Sequence, residues 1–183
     1  MRMIHLMGGN AAGKTTLLDA LAERWRSVPA YRFLHGDGGL FGGDKTAQFR
    51  VLMRLWSDKT AHTLVLEGTR VYSAVFRCAK FNVTPRTIYL GLMLQRYEDG
   101  VEHLKMRCAK RGKTYRGDFW GRGDDEVGHL FHDRYAKAVA KLQREYPGLV
   151  DPAHVQTFWI DPAYAAVQQA RTWADGILEE GQR

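Results

Sequence analysis

Near the amino end of the chain, a group of glycines followed by a lysine and a threonine has the spacing of a phosphate-binding loop. Residues 8–15 fit the pattern G-x-x-x-x-G-K-[ST]. The glycines let consecutive backbone N–H groups face one phosphate, the lysine reaches the β- and γ-phosphates of a nucleoside triphosphate, and the threonine hydroxyl helps to hold Mg²⁺. We therefore predict a site for ATP and Mg²⁺, formed by Gly8, Gly9, Asn10, Ala11, Ala12, Gly13, Lys14, Thr15 and Thr16.

The residues on either side of this loop have the patterns that such a site requires. Residues 2–7 are mainly apolar and predict a buried strand, and apolar residues recur at helical spacing over about 13–26. A bound phosphate would lie at the amino end of this helix, where the helix dipole favours an anion. An ordinary glycine-rich turn is the alternative, and the strand and helix favour the nucleotide site.

The rest of the chain alternates between strand and helix patterns. Further strands are predicted at 31–35, 63–66, 87–93 and 155–160, with helices at about 44–57, 69–80, 97–110, 125–146 and 161–179. Asp161 and Pro162 predict the start of the last helix, as its N-cap and first residue. The alternation predicts an α/β fold, with a five-stranded parallel sheet and helices on both faces, in one domain spanning 1–183.

Two acidic residues follow predicted strands, at the sheet edge where α/β proteins bind ligands. Asp37 lies between two glycines, and we predict that it is the catalytic base that accepts a proton from a hydroxyl acceptor. The alternative for Asp37 is a turn residue that bonds its own backbone. Glu67 is predicted to hold Mg²⁺ through water or to bind the acceptor, and the alternatives are a helix N-cap or a solvated strand end. Arg70 is a candidate acceptor contact.

The positive charge of the chain is concentrated in one segment. The formal net charge is +7, and between 105 and 122 the one acid, Asp118, is opposed by Lys105, Arg107, Lys110, Arg111, Lys113, Arg116 and Arg122. Such a cluster suits a polyanion. Tyr115, Phe119 and Trp120 lie between these cations, an arrangement suited to stacking on bases. The segment therefore predicts a nucleic acid partner, DNA, and the alternative is a lid that packs its own aromatic residues.

The order of these features resembles the P-loop kinases of the nucleoside and nucleotide kinase group. The resemblance covers the loop at 8–15, an acid after the second strand, the pair Glu67 and Gly68 after the third, and a basic lid-like segment at about 105–124. These kinases carry an R-x-x-x-R lid motif, and Arg107 and Arg111 have that spacing. The resemblance implies that both arginines close over the phosphates and stabilise the transferred charge, with Arg116 as a further substrate contact.

The position of Asp37 resembles that of the base in hydroxyl-directed members of this group, such as polynucleotide kinase, chloramphenicol phosphotransferase and phage hydroxymethyluracil DNA kinases. The resemblance implies transfer of the γ-phosphoryl group of ATP, with Lys14, Asp37, Arg107 and Arg111 as catalytic residues. The favoured acceptor is a nucleoside hydroxyl within DNA, either a 5′-hydroxyl end or a hydroxymethylated base such as 5-hydroxymethyluracil. The alternatives are a nucleoside or deoxynucleoside monophosphate kinase, a kinase of an antibiotic or sugar, and a regulatory module that binds ATP without transferring phosphate.

The apolar runs, the first residues and the cysteines of the chain indicate the part of the cell in which we expect it. The chain has 183 residues, of which 45% are hydrophobic, and no apolar run is long enough to span a bilayer, so we expect no membrane partner. Met1 leads almost directly into the first predicted strand, so we also expect no signal peptide. Cys78 and Cys108 are far apart in the sequence, which predicts free thiols in a reducing compartment, the cytoplasm.

Overall fold

The computed structural model describes residues 2–8, 12–36, 45–57, 62–68, 86–94, 97–115, 137, 140–141, 143–145, 155–161, 163 and 165–182. The strands are β1 (Arg2–Gly8), β2 (Tyr31–His35), β3 (Thr63–Glu67), β4 (Arg86–Leu94) and β5 (Val155–Ile160). The helices are α1 (Lys14–Trp25), α2 (Lys45–Ser57), α3 (Tyr97–Lys110) and α4 (Ala165–Glu180). Residues 137, 140, 141 and 143–145 are also helical. The predicted α/β alternation is confirmed, while the helix expected at 69–80 lies outside the described residues.

Two predicted helix starts differ from the structure for local reasons. Gly13 has a φ of 86°, which is outside the helical region, so α1 begins at Lys14. The last helix begins at Ala165 rather than at Pro162. The Asp161 carboxylate accepts a hydrogen bond from the backbone N–H of Ala165 at 3.2 Å. Asp161 therefore still binds the amino end of the helix, but it lies four residues before the first helical residue rather than at the N-cap position. Asp44, the N-cap expected for α2, lies outside the described residues.

The strands form one sheet in the order β2-β3-β1-β4-β5, and every neighbouring pair is parallel. β1 is central, because it pairs with β3 on one side and with β4 on the other. Its side chains are correspondingly buried, and Met3, Ile4 and Leu6 are completely inaccessible to solvent. A parallel strand covered on both faces is expected to be this apolar.

The strand order identifies the edge where a ligand can bind. The chain steps from β1 to β2 in one direction along the sheet, and the steps from β2 to β3, β3 to β4 and β4 to β5 all run in the other direction. The direction reverses after β1, and α/β sheets form their ligand crevice at the carboxyl ends of the strands where such a reversal occurs.

Helices α1 and α4 pack against each other and share the main hydrophobic core. The core includes Leu17 and Leu21 of α1, and Ala170, Ala174 and Leu178 of α4. At the end of this interface, the buried Asp175 carboxylate accepts hydrogen bonds from Trp25 Nε1 at 2.6 Å and from Arg24 at 2.7 Å. These contacts fix the helix that follows the phosphate-binding loop.

In the part of the chain that the structure describes, no helix is both long enough and apolar enough to cross a membrane. Cys108, in α3, is a free and partly buried thiol, as predicted, and Cys78 lies outside the described residues. The single-domain prediction for 1–183 stays a prediction.

Candidate active site

The two ends of the predicted phosphate-binding loop both require glycine. Gly8, the last residue of β1, has a φ of +144°, and a Cβ atom on it would lie 2.2 Å from the backbone oxygen of Leu92 in β4. Gly13, immediately before α1, has a φ of 86° in the left-handed region. Glycine enters these conformations without the strain that a side chain would cause. Gly9, Asn10 and Ala11 lie outside the described residues, and Ala12 is completely buried.

The first turn of α1 provides backbone donors for an anion. Among the described residues, no side chain caps the helix at Gly13, and the first turn contains no acidic residue. The first N–H groups of a helix have no partner within the helix, and they carry the positive end of its dipole. Lys14 is the first helical residue and is only 6% exposed, so its side chain is buried beside this turn. The first turn therefore has the chemistry of a phosphate site.

The structure brings together the two residues predicted to hold Mg²⁺. The Thr15 hydroxyl donates to the Glu67 carboxylate, with its oxygen 3.1 Å from Oε1 and 3.0 Å from Oε2. A hydroxyl has one proton and two lone pairs, so donation to Glu67 leaves its lone pairs for a cation. These oxygens suit Mg²⁺, which proteins bind through one or two carboxylates, water and substrate phosphates. Within the described ranges, no group of three or more His, Cys, Asp or Glu residues could form an all-protein metal site.

Glu67 also contacts a histidine that the sequence did not identify as a site residue. His35 ends β2, and its register partner in β3 is Glu67. The His35 ring donates from Nδ1 to Glu67 Oε1 at 2.7 Å, and its Nε2 lies 3.3 Å from Asp19 Oδ1. Asp19 follows Thr15 by four positions in α1, which places the two residues on one face of the helix. The available sequence signal was that His35, like Glu67, ends an apolar strand beside a glycine.

A second histidine, His5 of β1, lies beneath the site. It is completely buried, and its Nε2 donates to the backbone oxygen of Gly68 at 3.1 Å. Burial lowers the pKa of His5 to about 4, an effect that the hydrogen bond to Gly68 opposes and the charge of Lys14 reinforces. His5 is therefore neutral near pH 7, and it ties the backbone after Glu67 to the central strand.

Several predicted site residues stay predictions. Asp37, Arg70 and Arg116 lie outside the described residues. Arg107 and Arg111 are exposed, at the carboxyl end of α3 and in the turn that follows. Nearby, the Lys105 ammonium pairs with Glu102 at 3.0 Å and lies 6.0 Å from the centre of the Tyr115 ring. The predicted contact of the two arginines with phosphate is not tested by these positions.

Comparison with known proteins gives a likeness in fold. No protein-family model and no curated protein matches the chain. An uncharacterised protein from Eubacterium ventriosum superposes with a TM-score of 0.54 at 12% identity, and the match covers 98% of this chain and 99% of that one. A deoxyadenosine kinase from M. mycoides with bound dATP gives 0.48 at 14% identity, with coverage of 97% and 99%. A de novo designed protein of the P-loop NTPase fold gives 0.33 at 14% identity, with coverage of 80% and 98%.

The match to the Eubacterium protein shows a shared fold over nearly the whole chain. At such identities a likeness shows the fold alone. The hydroxyl-directed branch stays a prediction.

Proposed function

We propose that this protein is a P-loop kinase that uses Mg²⁺ and ATP to phosphorylate a hydroxyl group. One observation carries the proposal: the Thr15 hydroxyl, at the amino end of α1, lies 3.0 Å from the carboxylate of the buried Glu67 at the end of β3. A carboxylate and a hydroxyl that meet beside a phosphate-binding helix end can place a metal ion next to the phosphates.

The proposed donor site uses residues at the start of α1 and the end of β3. The backbone N–H groups at the start of α1 and the Lys14 ammonium would bind the β- and γ-phosphates of ATP. Thr15 would hold Mg²⁺ directly and Glu67 would hold it through water. An ion held there would supply positive charge next to the phosphates during transfer.

The acceptor chemistry is assigned to Asp37, which follows β2 by two residues. A bond forms between the acceptor oxygen and the γ-phosphorus, and the bond from that phosphorus to the β,γ-bridging oxygen breaks to release ADP. Asp37 takes the proton of the acceptor hydroxyl. Arg107 and Arg111 would neutralise charge on the transferred group, and Arg70 and Arg116 would contact the acceptor.

The proposed acceptor is a nucleoside hydroxyl within DNA, at a 5′ end or on a hydroxymethylated base. A group of exposed positive side chains supports this choice. They lie at the carboxyl end of α3 and in the turn that follows, and they are Arg107, Lys110, Arg111 and Lys113. Contacts between such cations and DNA phosphates supply binding that falls steeply with salt concentration. A free nucleotide needs fewer positive charges than this segment carries.

The test is a transfer assay with γ-labelled ATP and Mg²⁺. The acceptors are DNA with 5′-hydroxyl ends, DNA with hydroxymethylated pyrimidines, the matching nucleosides and monophosphates, and representative sugars and aminoglycosides. We expect label in one DNA substrate, and digestion then locates the phosphorylated hydroxyl. Label in monophosphates or small molecules alone would overturn the DNA assignment, and tight ATP binding without transfer to any acceptor would overturn the kinase assignment.

The substitution Asp37→Asn distinguishes a hydroxyl acceptor from a phosphate acceptor. If Asp37 is the base for a hydroxyl, Asp37→Asn lowers kcat by about 10²-fold or more with little change in KM for ATP. A phosphate acceptor needs no such base, so in a monophosphate kinase the same change would raise KM for the acceptor more than it lowers kcat. His62→Ala, at an exposed histidine before β3, is the control.

A further inference from the structure

We propose that His35, supported by Asp19, is a positioning residue that holds the Glu67 carboxylate in the orientation required for Mg²⁺·ATP. This inference rests on the proposed function, because it concerns the metal site of that reaction. His35 need not touch the metal or the substrate in order to act. Its contact is with Glu67, and its effect is exerted through that carboxylate.

The first argument is the burial of Glu67. Its side chain is only 5% exposed, and a buried carboxylate requires hydrogen-bond donors. Thr15 and His35 both donate hydrogen bonds to it. His35 therefore helps to compensate this buried charge.

The second argument is that Thr15 alone does not select one orientation. The Thr15 oxygen is 3.1 Å from Oε1 and 3.0 Å from Oε2, so the hydroxyl does not distinguish between the two oxygens. His35 Nδ1 contacts Oε1 at the shorter distance of 2.7 Å. A donor bound to one oxygen restricts the rotation of the carboxylate, which the evenly shared Thr15 hydroxyl does not do.

The third argument is the placement of Asp19. Its Oδ1 lies 3.3 Å from His35 Nε2, on the opposite side of the ring from Glu67. Asp19 and Thr15 share one face of α1, so the helix that carries the Thr15 hydroxyl also orients the His35 ring. Asp19 and His35 are 63% and 52% exposed, and a polar contact with that exposure adds little to stability. We therefore expect the contact to affect the metal site rather than the fold.

The experiment compares the dissociation constants of Mg²⁺·ATP and of ATP in EDTA for the wild type, His35→Ala, His35→Asn and Asp19→Asn. Groups that orient metal ligands typically change affinity by about 10- to 100-fold. We expect His35→Ala to weaken Mg²⁺·ATP about tenfold and metal-free ATP less than about twofold. In His35→Asn the amide N–H replaces Nδ1, so most of the affinity returns. Asp19→Asn has a smaller effect of the same kind.

Two controls keep the result specific. His62→Ala removes an exposed histidine that lies just before β3, and Glu23→Gln changes an exposed carboxylate one turn after Asp19 in α1. Both should leave the two dissociation constants unchanged, and these two variants and Asp19→Asn should melt near the wild-type temperature. If His35→Ala does not fold, His35→Asn and Asp19→Asn decide the outcome.

Three results would overturn the role of His35: an unchanged affinity of His35→Ala for Mg²⁺·ATP, an equal loss with and without metal, or no recovery in His35→Asn. Failure of the proposed function looks different. A wild type that binds Mg²⁺·ATP but transfers phosphate to nothing would remove the kinase and leave the His35 effect measurable. A wild type with no affinity for Mg²⁺·ATP would remove both.

Discussion

Gly8 in β1 lies so close to Leu92 in β4 that a Cβ atom on Gly8 would be 2.2 Å from the Leu92 backbone oxygen. Gly8 also has a φ of +144°, where side chains are strained. Gly8→Ala should therefore push β4 away from the central strand where the phosphate loop begins. We expect the free energy of unfolding to fall by at least about 2 kcal/mol, or no folded protein, because overpacking adds to backbone strain. Urea unfolding measures this decrease.

The control for Gly8→Ala is a glycine substitution that should change the free energy of unfolding in the opposite direction. Gly176 is in the interior of α4, and a Cβ atom there would meet nothing within 4 Å. Gly176→Ala should raise the free energy of unfolding by about 0.5–1 kcal/mol, because alanine has the higher helix propensity. Equal effects of the two substitutions would contradict this account of Gly8.

Trp25 and Asp175 form a buried hydrogen bond between α1 and α4. Trp25→Phe keeps an aromatic ring but leaves Asp175 Oδ1 without this donor, so we expect the free energy of unfolding to fall by about 1–3 kcal/mol. Arg24 also pairs with Glu179, which is 51% exposed, and Glu179→Gln should cost under about 1 kcal/mol. A Trp25→Phe cost no larger than that of Glu179→Gln would show that Asp175 is satisfied without Trp25.

Burial of His5 gives a pH dependence with a defined sign. Its pKa is lowered from 6.5 to about 4 in the folded protein, so the unfolded chain binds the proton first as the pH falls. The stability associated with neutral His5 is present above about pH 6.5 and falls away between that pH and about 4. Between pH 7 and pH 5 this contribution falls by about 2 kcal/mol.

The measurement for His5 is urea unfolding at pH 7 and pH 5 in the wild type and in His5→Leu. The leucine variant lacks the bond to Gly68 and is expected to be less stable at pH 7, but its stability should fall less on acidification. If the free energy of unfolding fell equally in both proteins between the two pH values, His5 would not be the group responsible.

The basic surface at the end of α3 predicts a salt dependence of DNA binding. Arg107→Ala with Arg111→Ala should weaken binding to duplex DNA and reduce the slope of log K against log salt by about 0.9 for each DNA phosphate that the variant no longer neutralises. Arg144→Ala is the control, because Arg144 is 73% exposed and lies 3.4 Å from Glu145 in a different helical segment. Binding that is unchanged by the double substitution would place the DNA contact elsewhere.

The meeting of Thr15 with Glu67 could be predicted from the sequence, and the contact of His35 with Glu67 could not. The loop pattern placed Thr15 at the start of a helix, and Glu67 followed an apolar strand, so both were expected at one edge of the sheet. The pairing of His35 with Glu67 depends on β2 lying next to β3 and on their register. Buried parallel strands are continuous apolar runs, and such runs determine neither the order nor the register of the strands.

The bounds of the strands also differ in whether a local sequence pattern predicts them or a neighbouring strand determines them. β2 and β5 match the predicted ranges, because a glycine or a proline follows each of them within two residues. β1 extends to Gly8 because of its pairing with Leu92, and β3 extends to Glu67 because of its pairing with Leu6 and His35. Each of these additional residues is held by a neighbouring strand, which a local pattern does not identify.

The central claim is that Glu67 and Thr15 place Mg²⁺ for phosphoryl transfer from ATP. The most direct test is the rate of γ-phosphoryl transfer by the wild type and by Glu67→Gln across a titration of Mg²⁺, with folding checked by thermal melting. We predict that the amide, which keeps the shape of the side chain but lacks its charge, lowers kcat by about 10²-fold and raises the Mg²⁺ concentration needed for half-maximal rate. A Glu67→Gln protein with the wild-type kcat and the wild-type Mg²⁺ requirement would contradict the claim.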